Sequence, residues 1–346
     1  MVAEAMALIS RKKHVYPVGN ELRGYLRRHG RVASLPMRFE QLSRYLESVP
    51  LYDAKGRDTL WQTVIYPPSE REEIDRALVH TYATLKVMGR MSLMEHLVTD
   101  RVDVCTWGNT APMRARILNK INENFDYFYI KRADASRIYG LELEHLLSPN
   151  RIEFLVDGDT VIEEHIAGIP GDIFIDSWLD AEHVNEIRLA KEFVKFNERC
   201  FVRLLGDMHS GNWVVDVTPD FDETHYRIRA IDFDQQSYEP RLRVYRPQYY
   251  KQNNRIVFVG MKSMTAKTHE QYCQEELTLI ATRAKAERPR LRALLEVMSN
   301  DHIAPEEHVR QLGVELADHY GEPRFTFCQT MGELVEQSLE MLPTPW

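Results

Sequence analysis

The spacing of apolar residues divides the chain into a helical start, a strand-rich middle and a helical end. Over residues 69–88 apolar side chains recur every three or four positions, which predicts an amphipathic helix. Ser69 and Glu72 form a capping box at its start, directly after Pro67–Pro68. Shorter helices are predicted over 22–28 and 39–46. We therefore expect residues 1–100 to form a helical N-terminal extension.

The apolar period changes between residues 102 and 166, where it favours strands with one helix among them. Helical spacing returns from residue 180 and is interrupted by one predicted strand pair. The predicted strands are 114–118, 127–130, 151–156, 160–166, 212–217 and 226–231. The predicted helices are 136–147, 266–286, 289–299, 305–319 and 330–341. This order of elements predicts an α+β fold with an antiparallel sheet and a mostly helical second half.

Composition narrows the class of protein. The chain has 346 residues, 44% of them hydrophobic, and a net charge of −8, which are values of an ordinary globular protein rather than a disordered one. No apolar stretch approaches the ~18 residues of a membrane span, and Glu4 interrupts the N-terminal apolar stretch, so we expect neither a span nor a secretory signal. The four cysteines form no CxxC pair. We expect a cytoplasmic protein. Delivery into a host cell as an effector is an alternative that the sequence leaves open.

Two short segments carry residues suited to phosphoryl transfer. In Gly206–Val215 an aspartate, Asp207, is followed five positions later by Asn212 at the start of an apolar strand. In Ala230–Asp234 a second aspartate, Asp232, ends the next apolar strand. Transfer from ATP uses one carboxylate that orients or deprotonates the acceptor hydroxyl, and an asparagine and a second carboxylate that hold Mg²⁺. The alternative is a purely structural role, in which these residues only cap turns and end a strand.

The pattern Gly206-Asp207-x-His209-x-x-Asn212, followed by Ile231-Asp232-Phe233-Asp234, resembles the catalytic and metal loops of the protein-kinase-like fold. It is most similar to the aminoglycoside phosphotransferase and choline kinase branch. The resemblance implies that Asp207 is catalytic and that Asn212 and Asp232 hold Mg²⁺ or Mn²⁺. Asp234 would ligate a second ion or hydrogen-bond the loop. His209 would brace the loop, with a base or metal-ligand role as the alternative.

The resemblance extends upstream, over roughly residues 102–240. Lys131, after Tyr129-Ile130, is similar to the lysine that pairs the ATP phosphates and is itself held by a helix glutamate, here Glu142 or, as the alternative, Glu144. The segment 161–171 resembles the hinge strand, which implies backbone contacts to adenine from Glu164 and Ile166. The phosphate-covering loop would be 105–112, where Asn109 presents its backbone. This loop has one glycine and so departs from the family pattern.

The segment 240–267 holds seven basic residues and no acidic one, so the rest of the chain carries −15. In kinase-like folds this segment lies beside the acceptor site. It could bind a phosphorylated or carboxylated acceptor, it could bind nucleic acid or a lipid headgroup, or it could be a solvated basic loop. The negative net charge argues against nucleic acid as the main partner. The residues that would hold an anionic acceptor are Arg241, Arg243 and Arg246.

The sequence therefore predicts an ATP- and Mg²⁺- or Mn²⁺-dependent phosphotransferase with a bilobal, protein-kinase-like α+β fold. The predicted parts are a helical extension (1–100), an antiparallel-sheet small lobe (101–168) and a mostly helical large lobe (169–346). The acceptor is expected to be a hydroxyl of a small molecule, with an anionic one favoured by the basic segment. An atypical protein kinase and a non-catalytic pseudokinase module are the alternatives.

Overall fold

The computed structural model describes residues 13–87, 89, 94–181, 184–220 and 224–346. These residues form two compact units, each of which combines segments that are distant in sequence. We call them the sheet unit, Pro17–Asp134 with Ile152–His165, and the helical unit, 13–16 with Ala135–Arg151 and Ile166–Trp346. The units thus differ from the three contiguous segments predicted from the sequence.

The sheet unit is built on one antiparallel sheet, which has seven strands within the described residues. Its strands are Glu47–Tyr52 (β1), Asp58–Ile65 (β2), Leu97–Val104 (β3), Met113–Asn119 (β4), Phe125–Arg132 (β5), Phe154–Asp157 (β6) and Thr160–Glu164 (β7). Their order in the sheet is β1-β2-β3-β4-β5-β7-β6. Its helices are Asn20–Arg28 (α1), Phe39–Leu42 (α2) and Pro68–Val87 (α3).

Strand β4 shows that the sheet of the sheet unit has an apolar face, buried in the core, and a polar face. Met113, Ala115 and Ile117 are buried in the core together with side chains of α3. Successive strand residues point to opposite faces, so Arg114 and Arg116 lie on the other side. Their guanidinium carbons lie 4.2 Å and 3.9 Å from the ring centroids of Trp61 and Phe125, respectively. The polar face is thus covered by stacked arginine and aromatic side chains.

The predicted helical extension over residues 1–100 is corrected by the structure, because β1, β2 and the start of β3 lie within this stretch beside its helices. Most positions of β1 and β2 are exposed or half-buried, so they lack the alternation of buried and exposed residues that marks a strand. The turn between β1 and β2 does have a recognisable residue, Asp53. Its carboxylate accepts hydrogen bonds from the backbone N–H groups of Lys55 and Arg57 and closes the hairpin. Residues 1–12 lie outside the described part.

The helical unit contains the second half of the chain and one helix from the middle. Its helices are Ala135–Leu147 (α4), Gly171–Ser177 (α5), Glu186–Val202 (α6), Asn254–Ser263 (α7), Ala266–Ala286 (α8), Arg288–Ser299 (α9), Glu306–Tyr320 (α10) and Met331–Glu340 (α11). Its strands are Ile169–Pro170 (β8), Trp213–Pro219 (β9) and Thr224–Ala230 (β10), in the order β10-β9-β8. The mixed α and β composition and the antiparallel main sheet agree with the predicted fold class. The predicted helices at 266–286, 289–299, 305–319 and 330–341 are confirmed within about one residue.

Aromatic side chains form the core beside the motif residues. Trp213, the first residue of β9, is fully buried and lies 6.2 Å and 6.3 Å, ring centre to ring centre, from Phe193 and Phe196 of α6. Phe233, between the two motif aspartates, is also fully buried. The apolar residues of both motifs therefore anchor the loops, and this leaves the polar residues between them in fixed positions.

Two negative findings concern the described residues. No helix among them is both long and apolar enough to cross a lipid bilayer. All four cysteines lie in the described part and none of them is disulfide-bonded.

Candidate active site

The loop after α6 turns back sharply at two left-handed residues. Leu204 has a φ of 54° and Asp207 a φ of 62°, a conformation that few residues other than glycine adopt. The backbone N–H of Asp207 donates to the Tyr250 hydroxyl at 3.0 Å and to the carbonyl of Val244 at 3.3 Å. Strained backbone that the surroundings hold in this way is concentrated at functional sites.

The glycine of the Gly-Asp pair has a packing reason. A Cβ at Gly206 would lie 2.9 Å from Cγ1 of Val244 and 3.0 Å from the carbonyl oxygen of Gln235. The N–H of Gly206 donates to that same carbonyl at 3.1 Å. Any larger residue would therefore push the loop away from the segment that carries Asp232 and Asp234.

Asn212 is tied to Asp207 within the loop. Its Nδ2 donates to the Asp207 carbonyl at 2.8 Å and to the Asp207 Oδ2 at 3.3 Å. His209 holds the intervening turn, because its Nδ1 accepts a bond from the Gly211 N–H at 3.1 Å. Burial lowers the pKa of His209, which favours the neutral ring that this acceptor role requires.

The hairpin β9–β10 brings Asn212 and Asp232 to the same end. Trp213 pairs with Ala230 in the antiparallel ladder. The next residues outward are Asn212 and Ile231, and the Ile231 N–H donates to the Asn212 carbonyl at 3.0 Å. The sequence order Asn-strand-strand-Asp therefore becomes a spatial cluster of Asp207, Asn212 and Asp232 through ordinary hairpin geometry.

The carboxylates of this cluster affect one another. Burial raises the pKa of Asp207 well above its ordinary value, and the negative charges of Asp232, Glu239 and Asp234 raise it further. A carboxylate shifted in this direction is better suited to accept a proton near neutral pH than an ordinary aspartate. The excess of negative charge also favours a cation at this position.

The cluster offers two oxygen donors to a divalent cation. Asn212 uses its Nδ2 on Asp207, which leaves its amide oxygen as a possible ligand, and the Asp232 side chain is 34% exposed. Two oxygen donors of this kind, completed by phosphate oxygens and water, are what Mg²⁺ takes beside a nucleotide. Among the described residues, no group of three or more histidine, cysteine, aspartate or glutamate side chains is arranged to hold an ion by itself.

Two basic residues that the motifs do not include, Arg137 and Lys13, hold Asp234. The Arg137 side chain, on α4 and 2% exposed, is ion-paired with Asp234 and lies 3.4 Å from an oxygen of Asp232. The Nζ of Lys13 donates to the Asp234 carbonyl at 2.8 Å. Asp234 therefore takes part in an ion pair with a helix, and both alternatives for this residue, a second metal ligand or a hydrogen bond to the loop, stay predictions. No local pattern marks Arg137, which lies 97 residues before its partner.

The two glutamates of α4 are paired with arginines of the helical unit. Both carboxylate oxygens of Glu142 accept from Arg290 at 2.8 Å, and Glu144 is ion-paired with Arg203. These pairs are expected because α4 is buried along almost its whole length and buried charges need partners. Lys131 belongs to the sheet unit and α4 to the helical unit. The predicted pairing of Lys131 with Glu142 or Glu144 therefore stays a prediction.

In the sheet unit, Lys131 is held by the neighbouring strand. Lys131, on β5, is 6% exposed, and its Nζ donates to the Oε2 of Glu163 on β7 at 2.7 Å. The two strands pair side by side, with Lys131 opposite Val161. The motifs do not mark Glu163 as a partner of Lys131. Its position on the predicted hinge strand was the one feature of the sequence that could have indicated it. A buried lysine with a carboxylate partner is a strongly positioned cation.

The remaining predicted nucleotide contacts lie at loop and strand ends. Asn109 lies in the loop between β3 and β4, where a Cβ on Gly108 would come within 2.6 Å of Pro112. The single glycine of this loop is thus required by close packing. Glu164 ends β7, and its backbone N–H donates to Glu153 at 3.0 Å. Ile166 belongs to the helical unit and is buried.

The basic segment packs beneath the loop that carries Asp207. The Tyr250 hydroxyl donates to Val244 and accepts from Asp207, and the Asn253 amide donates to the carbonyls of Met208 and Pro247. Arg243 lies 5.0 Å over the Tyr249 ring. Arg241 and Arg243 are exposed and Arg246 is half-buried. Part of this segment therefore supports the loop, and its exposed arginines are available to an anion.

A comparison with known protein families found no match to the chain, and a comparison with curated protein sequences found none either.

Proposed function

We propose that the protein is an ATP- and Mg²⁺- or Mn²⁺-dependent phosphotransferase of the protein-kinase-like fold, which transfers the γ-phosphoryl group to a hydroxyl of a small molecule. The observation that carries the proposal is the hairpin end at which Asn212 and Asp232 meet beside Asp207. This combination supplies the base and the two oxygen ligands that phosphoryl transfer uses. The motif resemblance supports the same reading.

Each residue of the cluster has a separate part in the proposed reaction. Asp207 accepts the proton of the acceptor hydroxyl, and its raised pKa suits this task. The Nδ2 of Asn212 keeps the Asp207 carboxylate oriented. A divalent cation, when bound by the Asn212 oxygen and Asp232, neutralises negative charge on the phosphates. Arg137 fixes the Asp232–Asp234 segment.

Lys131 and the exposed arginines are the proposed contacts to the two substrates. Lys131, held by Glu163, binds the α- and β-phosphates of ATP, and the backbone around Asn109, Glu164 and Ile166 binds the rest of the nucleotide. Arg241 and Arg243 favour an acceptor that carries a carboxylate or phosphate, because guanidinium groups bind these anions in a bidentate manner.

The test begins with nucleotide binding, since this step needs no acceptor. Thermal shifts with ATP should be larger with Mg²⁺ than with a chelator, and Asp232→Asn should remove the difference. Asp216→Asn is the matched control, because Asp216 lies on the same hairpin, paired with Arg227 and away from the cluster. Equal shifts with and without Mg²⁺ in the wild type would contradict the metal role.

Transfer is then measured with ATP labelled at the γ-phosphate, against pooled metabolites and pooled proteins. Label in the metabolites supports the proposal, whereas label in proteins alone supports the alternative of an atypical protein kinase. Binding of Mg²⁺–ATP with no transfer to either pool refutes the enzyme assignment. In that case the protein is a non-catalytic module, a second candidate that is favoured by the contacts of Arg137 with both Asp232 and Asp234.

A further inference from the structure

A cavity of about 330 Å³ lies in the helical unit where α6, α7 and the start of α8 meet. Its apolar wall includes Phe193 and Val194 of α6 and Ile256 of α7, all of them buried. Two small residues of the lining, Ala190 and Gly260, lie where α6 and α7 come close together: a Cβ on Gly260 would lie 3.8 Å from the Cβ of Ala190. A volume of this size is sufficient for a small organic molecule.

The charged groups of the cavity favour an anion. Arg246 lines it, and the guanidinium is fixed by a 2.8 Å contact to the His319 ring and by the Phe201 ring, whose centroid is 4.1 Å away. Burial lowers the pKa of His319, which favours its neutral ring, so His319 holds the guanidinium of Arg246 without adding a second positive charge. The one carboxylate in the lining is Glu198; burial raises its pKa, and the positive charge of Arg246 acts in the opposite direction, so an anionic ligand competes with Glu198 for this guanidinium.

The same chain segment connects the cavity to the proposed catalytic loop. Arg246 and Gln248 line the cavity, and the Gln248 N–H donates to the Asn197 side chain of α6 at 2.9 Å. Two and five residues after Gln248, Tyr250 and Asn253 bond the backbone of Asp207 and Met208. A ligand that moves residues 246–248 would therefore act on the loop through a short, hydrogen-bonded stretch of chain.

We propose that this cavity binds a small amphipathic anion, with the apolar part of the ligand against Phe193, Val194 and Ile256 and its carboxylate or phosphate at Arg246. Occupancy of the cavity stabilises the loop that carries Asp207. Binding of the anion does not depend on the proposed phosphotransferase activity, so the two proposals fail or succeed separately.

The probe is decanoate below its micelle concentration, compared with decylamine, which has the same chain length and the opposite charge. Calorimetric titration of the full chain should show saturable binding of decanoate and at least about tenfold weaker binding of decylamine, since the charged hydrogen bond is lost. Arg246→Gln should weaken decanoate binding by about tenfold or more. Lys251→Gln is the control, because Lys251 is an exposed basic residue of the same segment outside the cavity lining.

Two filling variants test the location of the site. Gly260→Leu should abolish decanoate binding, and it should fold, because the closest atom to the new Cβ is the flexible end of Met264 at 3.2 Å and leucine favours a helix more than glycine does. Val257→Phe, on the same helix and in the cavity lining, is the second filling variant. Circular dichroism and thermal melting establish that both are folded.

Hydrogen exchange tests the coupling. Decanoate should slow exchange of the amides of residues 205–213 in the wild type and leave them unchanged in Gly260→Leu. Absence of saturable decanoate binding, equal binding of decylamine, or undiminished binding by both folded filling variants would overturn the proposed site. Unchanged exchange over 205–213 at saturating decanoate would overturn the coupling.

Discussion

Replacing Arg137 by methionine tests whether an arginine on α4 fixes the aspartates of the candidate site. The substitution keeps an apolar side chain of similar length and removes the guanidinium. Asp234, whose side chain is 15% exposed, then loses its ion pair, and Asp232 loses a cation 3.4 Å away. Two neighbouring carboxylates are left to repel each other in a partly buried place.

The size of the effect follows from the separation and the burial. Opposite charges 3.4 Å apart attract by about 5 kcal/mol at an effective dielectric constant of about 20, and the cost of burying both groups offsets much of this attraction. Removing one partner of a buried pair costs about 3–5 kcal/mol. We expect about 3 kcal/mol, the lower end, because the Asp232 side chain is 34% exposed and keeps some hydration.

The assay is urea unfolding followed by tryptophan fluorescence, since Trp213 is fully buried in the core of the helical unit. The control is Arg288→Met, an exposed position on α9, which should change the free energy of unfolding by less than about 0.5 kcal/mol. Asp234→Asn and the double variant complete a mutant cycle. The double variant should be more stable than the sum of the single losses predicts, because it leaves no unpaired charge at position 234.

A loss below about 1 kcal/mol for Arg137→Met, equal to that of the control, would refute the reasoning. So would strict additivity in the cycle, because contacting charges must couple. Either result would mean that water or another side chain replaces the guanidinium, and that Arg137 has no positioning role for the Asp232–Asp234 segment.

Four further outcomes are expected. Asp207→Ala should lower phosphoryl transfer by about 10²–10⁴-fold and leave ATP affinity nearly unchanged, measured by initial rates and by calorimetry; turnover within tenfold of the wild type would contradict the catalytic role. Asn212→Ala should reduce the Mg²⁺-dependent part of ATP binding, seen as a right-shifted Mg²⁺ titration. The pKa of Asp207 is raised in the folded state. Above the ordinary aspartate pKa the folded protein therefore binds more protons than the unfolded chain, and this group lowers stability as the pH rises. Asp207→Asn should be more stable than the wild type in urea unfolding at neutral pH, and the difference should vanish as the pH approaches 4. Gly332→Ala should lose about 1–3 kcal/mol of stability, since its Cβ would lie 2.3 Å from the backbone of Met298, whereas Gly19→Ala, with open space around it, should not.

Local patterns were sufficient for most of the secondary structure. The helices at the C-terminal end were predicted within about one residue because their apolar faces repeat regularly and each packs on a core. Strands β1 and β2 were missed because few of their side chains are buried. Their pairing with the rest of the sheet comes from backbone hydrogen bonds, which leave little trace in the pattern of side chains.

The grouping of Asp207, Asn212 and Asp232 was also determined locally. A hairpin whose first strand begins after an asparagine and whose second strand ends before an aspartate brings the two residues together wherever it folds. The glycine before Asp207 follows from the same short segment and its close neighbours. Spacing and residue type were therefore enough to predict this part of the candidate site.

Only the tertiary structure decided which cations accompany these residues. Arg137 and Lys13 reach Asp234 from 97 and 221 residues away, and Glu142 is held by Arg290, 148 residues further along the chain. Tyr250 and Asn253 hold the loop from a segment that the sequence marked only as basic. A charged side chain that is buried requires a partner of opposite charge. The sequence contains many arginines and lysines that could be this partner, and the packing of the elements decides which of them it is.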